Sequence, residues 1–365
     1  MTDYTWDGGG DGTSWNDADN WGGSDYPRTN NDKATINVGS ASISMDIPGG
    51  TGVVGEVELG SSFSGTVTQA YNFTIDDAGS ENGQLSIDGG TWSTNNALLT
   101  VDGQVHLNGG TLDCTASTIS FGQADLSPAD STWGLRVQSG TFTGGTGDHT
   151  ISSLYSQAGT TTLTSGDTLF NGFNTSSASP LKVVGGTWSQ TAGKVIFNGT
   201  NQQALHLQKS IQFHDVEFKF AYEMEVFNWG VSYNITIGGT LTIDASSGFN
   251  TKYVGGGADY DNVLTVTGDA TINGTLDTYG NGGGKSATFG SLTIGSSGTY
   301  EATSGTTTIT SIASSWSVDL VSGGTLTDNN GTFLFNSASD QKVRLLGTGN
   351  FHNVTVNKSD NDMVQ

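Results

Sequence analysis

One phrase punctuates this chain: Gly-Gly-Thr followed by a large apolar residue. It occurs as Gly89-Gly90-Thr91-Trp92, Gly109-Gly110-Thr111-Leu112 and Gly185-Gly186-Thr187-Trp188. It returns as Gly238-Gly239-Thr240-Leu241 and Gly323-Gly324-Thr325-Leu326. Looser copies are Ser139-Gly140-Thr141-Phe142, Asn273-Gly274-Thr275-Leu276 and Gly298-Thr299-Tyr300. A turn that recurs every few tens of residues marks a repeat architecture, in which each unit contacts mainly its neighbours.

A longer copy supports this. Residues 185–218 align without a gap on residues 323–356, an offset of 138 (323 minus 185). Phe197-Asn198 falls on Phe335-Asn336, Gln203 on Gln341, Phe213-His214 on Phe351-His352 and Val216 on Val354. The second copy stops near Gln365 where the first runs on, so the chain is expected to end inside a module.

The phrases between turns are strand-like. In Leu264-Thr265-Val266-Thr267 the apolar residues point one way and the threonines the other. No stretch sustains a helical period. With 55 Gly and only 4 Pro, turns must come from Gly and Asn, which tolerate positive φ. A rung of short strands cannot bury its apolar face alone; stacking rungs about 4.8 Å apart makes one core and pairs the backbone. Outward threonines suit the ladder, where like neighbours can hydrogen-bond. The expected fold is therefore all-β, a parallel β-helix or β-solenoid of either hand. Coils of roughly 20–26 residues would give about 13–16 of them. A pair of antiparallel β-sandwiches is the alternative.

An open strand edge invites aggregation, and end repeats are commonly replaced by caps. Residues 1–35, rich in Trp, Gly and Asp, are expected to form that N-terminal cap, with solenoid repeats over 36–365. Trp6, Trp15 and Trp21 would close the first coil, or else grip a sugar or a partner.

The opening, Trp6 to Gly9 and then Trp15 to Trp21, resembles the start of many bacterial and phage surface β-helix proteins. The phrase Phe197-Asn198-Gly199-Thr200, Gln203, Phe213-His214-Asp215-Val216 is similar to their repeat, and Phe351-His352-Asn353-Val354-Thr355-Val356 is closer still. That resemblance implies an adhesin-, fibre- or coat-like role on a virion or cell surface, and supplies no active-site residues.

Charge limits the partners. Twelve Lys and Arg against 35 acids leave a net charge of −23, which disfavours nucleic acid and anionic membranes. No apolar run reaches the roughly 18–20 residues of a membrane span. Cys114 is alone and reads as a small buried hydrophobe. Met1-Thr2-Asp3-Tyr4 lacks the basic start and apolar stretch of a signal peptide, which leans the expectation toward a virion component.

Candidate chemistry is sparse. Glycosidic cleavage needs paired carboxylates. Glu56 with Glu58, and Glu223 with Glu225, would each share a strand face, but read as outer-face charges. Asp76-Asp77 reads as a turn. Asp7, Asp11, Asp17 and Asp19 are dense enough to attempt a calcium site, although aspartate also makes turns. His214 and His352 hold equivalent repeat positions, which favours structural roles; His106, His149 and His206 have no partners at metal spacing. No cofactor other than calcium is expected. The leading expectation is a non-enzymatic structural or adhesive protein outside a virion or cell, a fibre, spike or coat component. Its partners would be itself, as a homo-oligomer or array, other surface or virion proteins, and host glycans. The rivals are a carbohydrate-active depolymerase and a glycan-binding adhesin, the latter with Trp133, Trp229 or Trp316 exposed.

Overall fold

The computed structural model describes residues 1–47, 51–76, 83–122, 133–172, 179–199, 203–228, 231–253, 262–279, 285–311 and 316–357. The chain is an all-β parallel β-solenoid of about 11 turns. It divides into two units, one of Met1–Phe173 with Val184–Gly193, the other of Asn174–Val183 with Lys194–Gln365.

In the first unit the coils after the opening segment lay strands on three parallel sheets. The first face stacks Thr2–Thr5, Asp32–Ile36, Glu56–Leu59, Gln84–Ile87, Gln104–Leu107, Leu135–Val137 and Leu154–Ser156. The second is a seven-stranded sheet of Ser42–Met45, Thr66–Gln69, Thr91–Ser93, Thr111–Asp113, Thr141–Thr143, Thr160–Thr162 and Thr187–Ser189. The third stacks Thr51–Val54, Asn72–Ile75, Leu99–Val101, Ile119–Phe121, His149–Ile151 and Asp167–Phe170.

Alternation along each strand puts every second residue inside. Constant register then lines those residues up: Ala34, Val57, Leu85, Val105, Leu135 and Leu154 form one column, each fully buried. Opposite it run Ile43, Val67, Trp92, Leu112, Phe142 and Thr161, also buried.

The Gly-Gly-Thr phrase makes the corner before the second face. The Thr91 amide donates to the Gly65 carbonyl at 2.9 Å, and Thr111 to Gly90, Thr141 to Gly110 and Thr160 to Gly140 at the same distance. Thr187 donates to Gly159 at 2.8 Å. A Cβ at Gly90 would lie 2.7 Å from the Gly65 carbonyl oxygen, and one at Gly110 would lie 2.7 Å from that of Gly89. Gly90 and Gly186 also take φ of 61° and 68°, which L side chains rarely adopt. Glycine is thus demanded here by close approach as well as by torsion.

The second unit repeats the plan. One face stacks Leu181–Val183, Gln203–Leu207, Glu223–Asn228, Gly248–Tyr253, Thr275–Asp277, Thr299–Glu301 and Thr325–Thr327. Two further ladders share the long strands Val263–Ile272 and Ala287–Ile294, which run through a corner with a register shift between Val266 and Asp269. The sequence repeat is a register repeat. Lys194 pairs with Asp215 and Thr332 with Asn353, each pair 21 residues apart (215 minus 194, 353 minus 332). Val216 is 2% exposed under the strand Leu241–Ile243, whereas its counterpart Val354 is 52% exposed.

The turns are fewer than the 13–16 expected from sequence. Coils are not uniform: Val105 pairs with Leu135, 30 residues on, and Leu135 with Leu154, 19 on. Intervals of different length thus separate directly paired strands. Cys114 is fully buried and unpaired, and burial pushes its thiol pKa well up.

Replacing Gly110 by Ala is expected to cost about 1–3 kcal/mol through overpacking against backbone. Phe142→Ala is expected to cost about 3–5 kcal/mol through a core cavity. Thr141→Ala, on the outer face between them, should cost under about 0.5 kcal/mol. Urea denaturation midpoints of the three variants check this ordering.

Candidate functional site

The opening segment lies on the first coil. Thr2–Thr5 pairs with Asp32–Ile36, and the Trp15 amide donates to the Ser44 carbonyl at 2.9 Å. Trp6, Trp15 and Trp21 are all buried, with edge-on contacts of 5.1 Å (Trp6 to Trp21) and 4.8 Å (Trp15 to Trp21). Their indole donors turn inward too: Trp15 Nε1 to the Pro27 carbonyl at 2.9 Å and Trp21 Nε1 to the Trp15 carbonyl at 2.7 Å. None of the three presents a free ring to a sugar.

Around them the acidic loop is organised by Asn20, which is fully buried. Its Oδ1 accepts from the amides of Gly10 (3.0 Å) and Gly12 (2.8 Å); its Nδ2 donates to Asp11 Oδ1 and the Ser14 carbonyl, both at 2.9 Å. Asp11 also accepts from the Thr13 and Ser14 amides at 2.8 Å. The Ser14 hydroxyl, the Thr13 amide and Asn20 hold its carboxyl far below the usual range. Asp17 accepts from the amides of Asp11 and Asp19, and Asp7 from that of Gly9. Asp19 sits in the 3-10 turn Ala18–Trp21 that Asp17 caps. Asp7, Asp11 and Asp17 therefore serve as acceptors for local backbone donors. Among the described residues no group of three or more His, Cys, Asp or Glu is placed to hold a metal ion.

The paired carboxylates have partners of their own. Lys33 Nζ lies 2.7 Å from Glu56 and 3.3 Å from Glu58, bridging the pair on the outer first face. Partial burial opposes its charge, but the bonds to Glu56 and Glu58 outweigh this and raise its pKa. Glu223 and Glu225 are half-buried on one strand of the second unit. Glu223 lines a groove of about 300 Å³ with Tyr222, Ser246, Ser247, Gly248, Gly274, Thr275 and Ser297. Tyr222 is 48% exposed there. One acid, rather than two facing acids, looks into this groove. Asp77 and Trp229 lie outside the described residues.

A second, smaller cleft of about 190 Å³ lies on the first face of the first unit. Ser86, Asp88, His106, Asn108, Arg136 and Gln138 line it, from three successive coils. Arg136 stacks on Tyr155 at 5.6 Å and donates to Gln157 at 3.1 Å. Burial first, then the Arg136 charge, lowers the His106 pKa. Sequence reasoning passed over Arg136 because these residues are 20–30 apart; the signal is their common register, His106 pairing with both Ser86 and Arg136.

The repeat-related histidines face outward. His214 is half-buried with Nδ1 3.0 Å from Asp215, and His352 is exposed. His149 is different: it is 1% exposed, in a core column between Ile119 and Thr168, its ring 5.9 Å from Phe142. Burial lowers its pKa to about 4. The Gly144 and Ser117 carbonyls lie near, but neither ring nitrogen completes a hydrogen bond. Trp133 is buried against Tyr155 at 5.3 Å, and Trp316 is half-buried under Arg344 at 5.0 Å. No helix among the described residues is long and apolar enough to cross a membrane. Compared with known proteins, the chain matches no family, no curated protein and no solved structure.

Two outcomes follow from these sites. Calcium needs about six to eight oxygens, and the loop's carboxylates already serve backbone donors. Millimolar calcium or a chelator should leave Tm unchanged; a calcium-dependent rise would place an ion there. For His149 the folded pKa of about 4 lies below the unfolded 6.5, so the unfolded chain holds the extra proton between them. Its contribution is full above pH 6.5 and is lost as pH falls toward 4. The loss is roughly 3 kcal/mol at most, at about 1.4 kcal/mol per unit. His149→Leu should flatten the fall of the urea midpoint in that window relative to the parent chain.

Proposed function

We propose that this chain is a non-enzymatic structural or adhesive component of a biological exterior, a virion fibre, spike or coat protein. The observation that carries this reading is mechanical. Among the described residues, parallel ladders join successive coils in both units, and in the first unit the inward side chains keep one register from coil to coil. Such a body resists local opening, because exposing one rung breaks ladders on three faces together. Its sparse positive charge suits neither nucleic acid nor anionic membrane. Its partners on this reading are copies of itself and other surface or virion proteins.

The groove at Tyr222 and Glu223 favours a second reading, a glycan-binding adhesin. An exposed aromatic ring beside one carboxylate and several serine hydroxyls can stack on a sugar and hydrogen-bond its rim. A depolymerase would need a second carboxylate in the same groove.

Immunogold electron microscopy of the native source tests the leading reading: label is expected on virions or on the cell envelope, and label confined to the cytosol overturns it. Incubation with host-surface polysaccharide tests the enzyme rival. Chain lengths should stay unchanged; shortened chains, with activity lost in Glu223→Gln, would replace the structural reading by a depolymerase.

A further inference from the structure

We propose that the second face of the first unit is an ice-binding surface. Each of its seven strands offers two outer positions. One column runs Ser42, Thr66, Thr91, Thr111, Thr141, Thr160 and Thr187; the other runs Ser44, Thr68, Ser93, Asp113, Thr143, Thr162 and Ser189. Asp113 alone carries a charge. The register never shifts, although successive coils differ in length. The spacing is about 4.8 Å across coils and about 6.6 Å along each strand, two residues at roughly 3.3 Å.

β-Propensity does not account for this sorting. The first face of the same unit shows Lys33, Glu56, Glu58, Gln84, Gln104, His106, Arg136 and Tyr155 at its outer positions, with hydroxyls only at Thr35 and Ser86 over the same strands. Nor do the hydroxyls serve the fold. Among the described residues, none of the serine and threonine hydroxyls in the two columns makes a hydrogen bond within the protein, in contrast to the ladder expected from sequence. The threonine hydroxyls are carried by β-branched side chains with few χ1 choices.

A nearly uncharged array of hydroxyls, most of them paired with a threonine methyl and periodic in two directions, matches an ordered sheet of water. The methyls favour caged water between columns, the hydroxyls anchor it, and the repeats are on the scale of the oxygen rows of hexagonal ice. A crystalline polysaccharide fits less well, because Trp92 and Phe142 on these strands are fully buried and Trp188, on the last strand, is half-buried. This inference is independent of whether the chain belongs to a virion or a cell.

The test is crystal growth in a solution of the purified chain. Faceted crystals and a gap between melting and growth temperatures are expected. Thr141→Lys combined with Thr143→Lys should abolish both, and Thr150→Lys, on the third face, should keep both. Thr111→Val with Thr141→Val, which preserves shape and packing, should narrow the gap and so covers any misfolding of the lysine variant. Round, unshaped crystals from the folded parent chain overturn the proposal. So does equal loss in Thr150→Lys, or sedimentation showing that two copies bury this face against each other.

Discussion

The corner at which one backbone carbonyl meets the next coil's amide governs the first unit. At the entrance to the second face, the carbonyls of Gly65, Gly90, Gly110, Gly140 and Gly159 accept from the threonine amides one coil on. The chains approach so closely that a methyl group at Gly90 or Gly110 would press on a neighbouring carbonyl. That contact sets where each strand of the face begins. With the start fixed, alternation decides the rest: the residue after threonine goes inside, the next goes out. Trp92, Leu112 and Phe142 are buried because of a glycine two positions earlier.

Much of this was legible beforehand. The Gly-Gly-Thr phrase marked the corner, and the 138-residue offset reappears as identical 21-residue pairings, Lys194 with Asp215 and Thr332 with Asn353. Coil number was not legible, because the interval from Val105 to Leu135 looks, as text, like more than one rung. Nothing in those residues announces that Val105 and Leu135 are direct neighbours. The aspartates of the opening were visible as a cluster, but their donors depend on where Asn20 is held. Likewise the cleft of His106, Asp88 and Arg136 exists only once three coils are laid side by side.

Burial also separates residues that look alike in sequence. His149 and His214 share a side chain and little else: one occupies a core column beside Phe142, the other leans on Asp215 at the surface. The buried ring lacks completed hydrogen bonds and remains neutral at a pH where a free histidine would be half charged. Lys33 shows the converse. Two carboxylates that could have suggested catalysis are bridged by one ammonium group, which offsets part of their charge.

Two consecutive intervals on the first face, 30 and 19 residues, differ by 11 (30 minus 19) without displacing a core side chain from its column. Length and cross-section are therefore decoupled in this protein. Insertions and deletions between strands are a neutral currency of divergence, while an insertion or deletion of one residue inside a three-residue strand would turn its interior outward. Lineages descended from such a chain would drift freely in size and in the loops they display, yet keep the same buried columns.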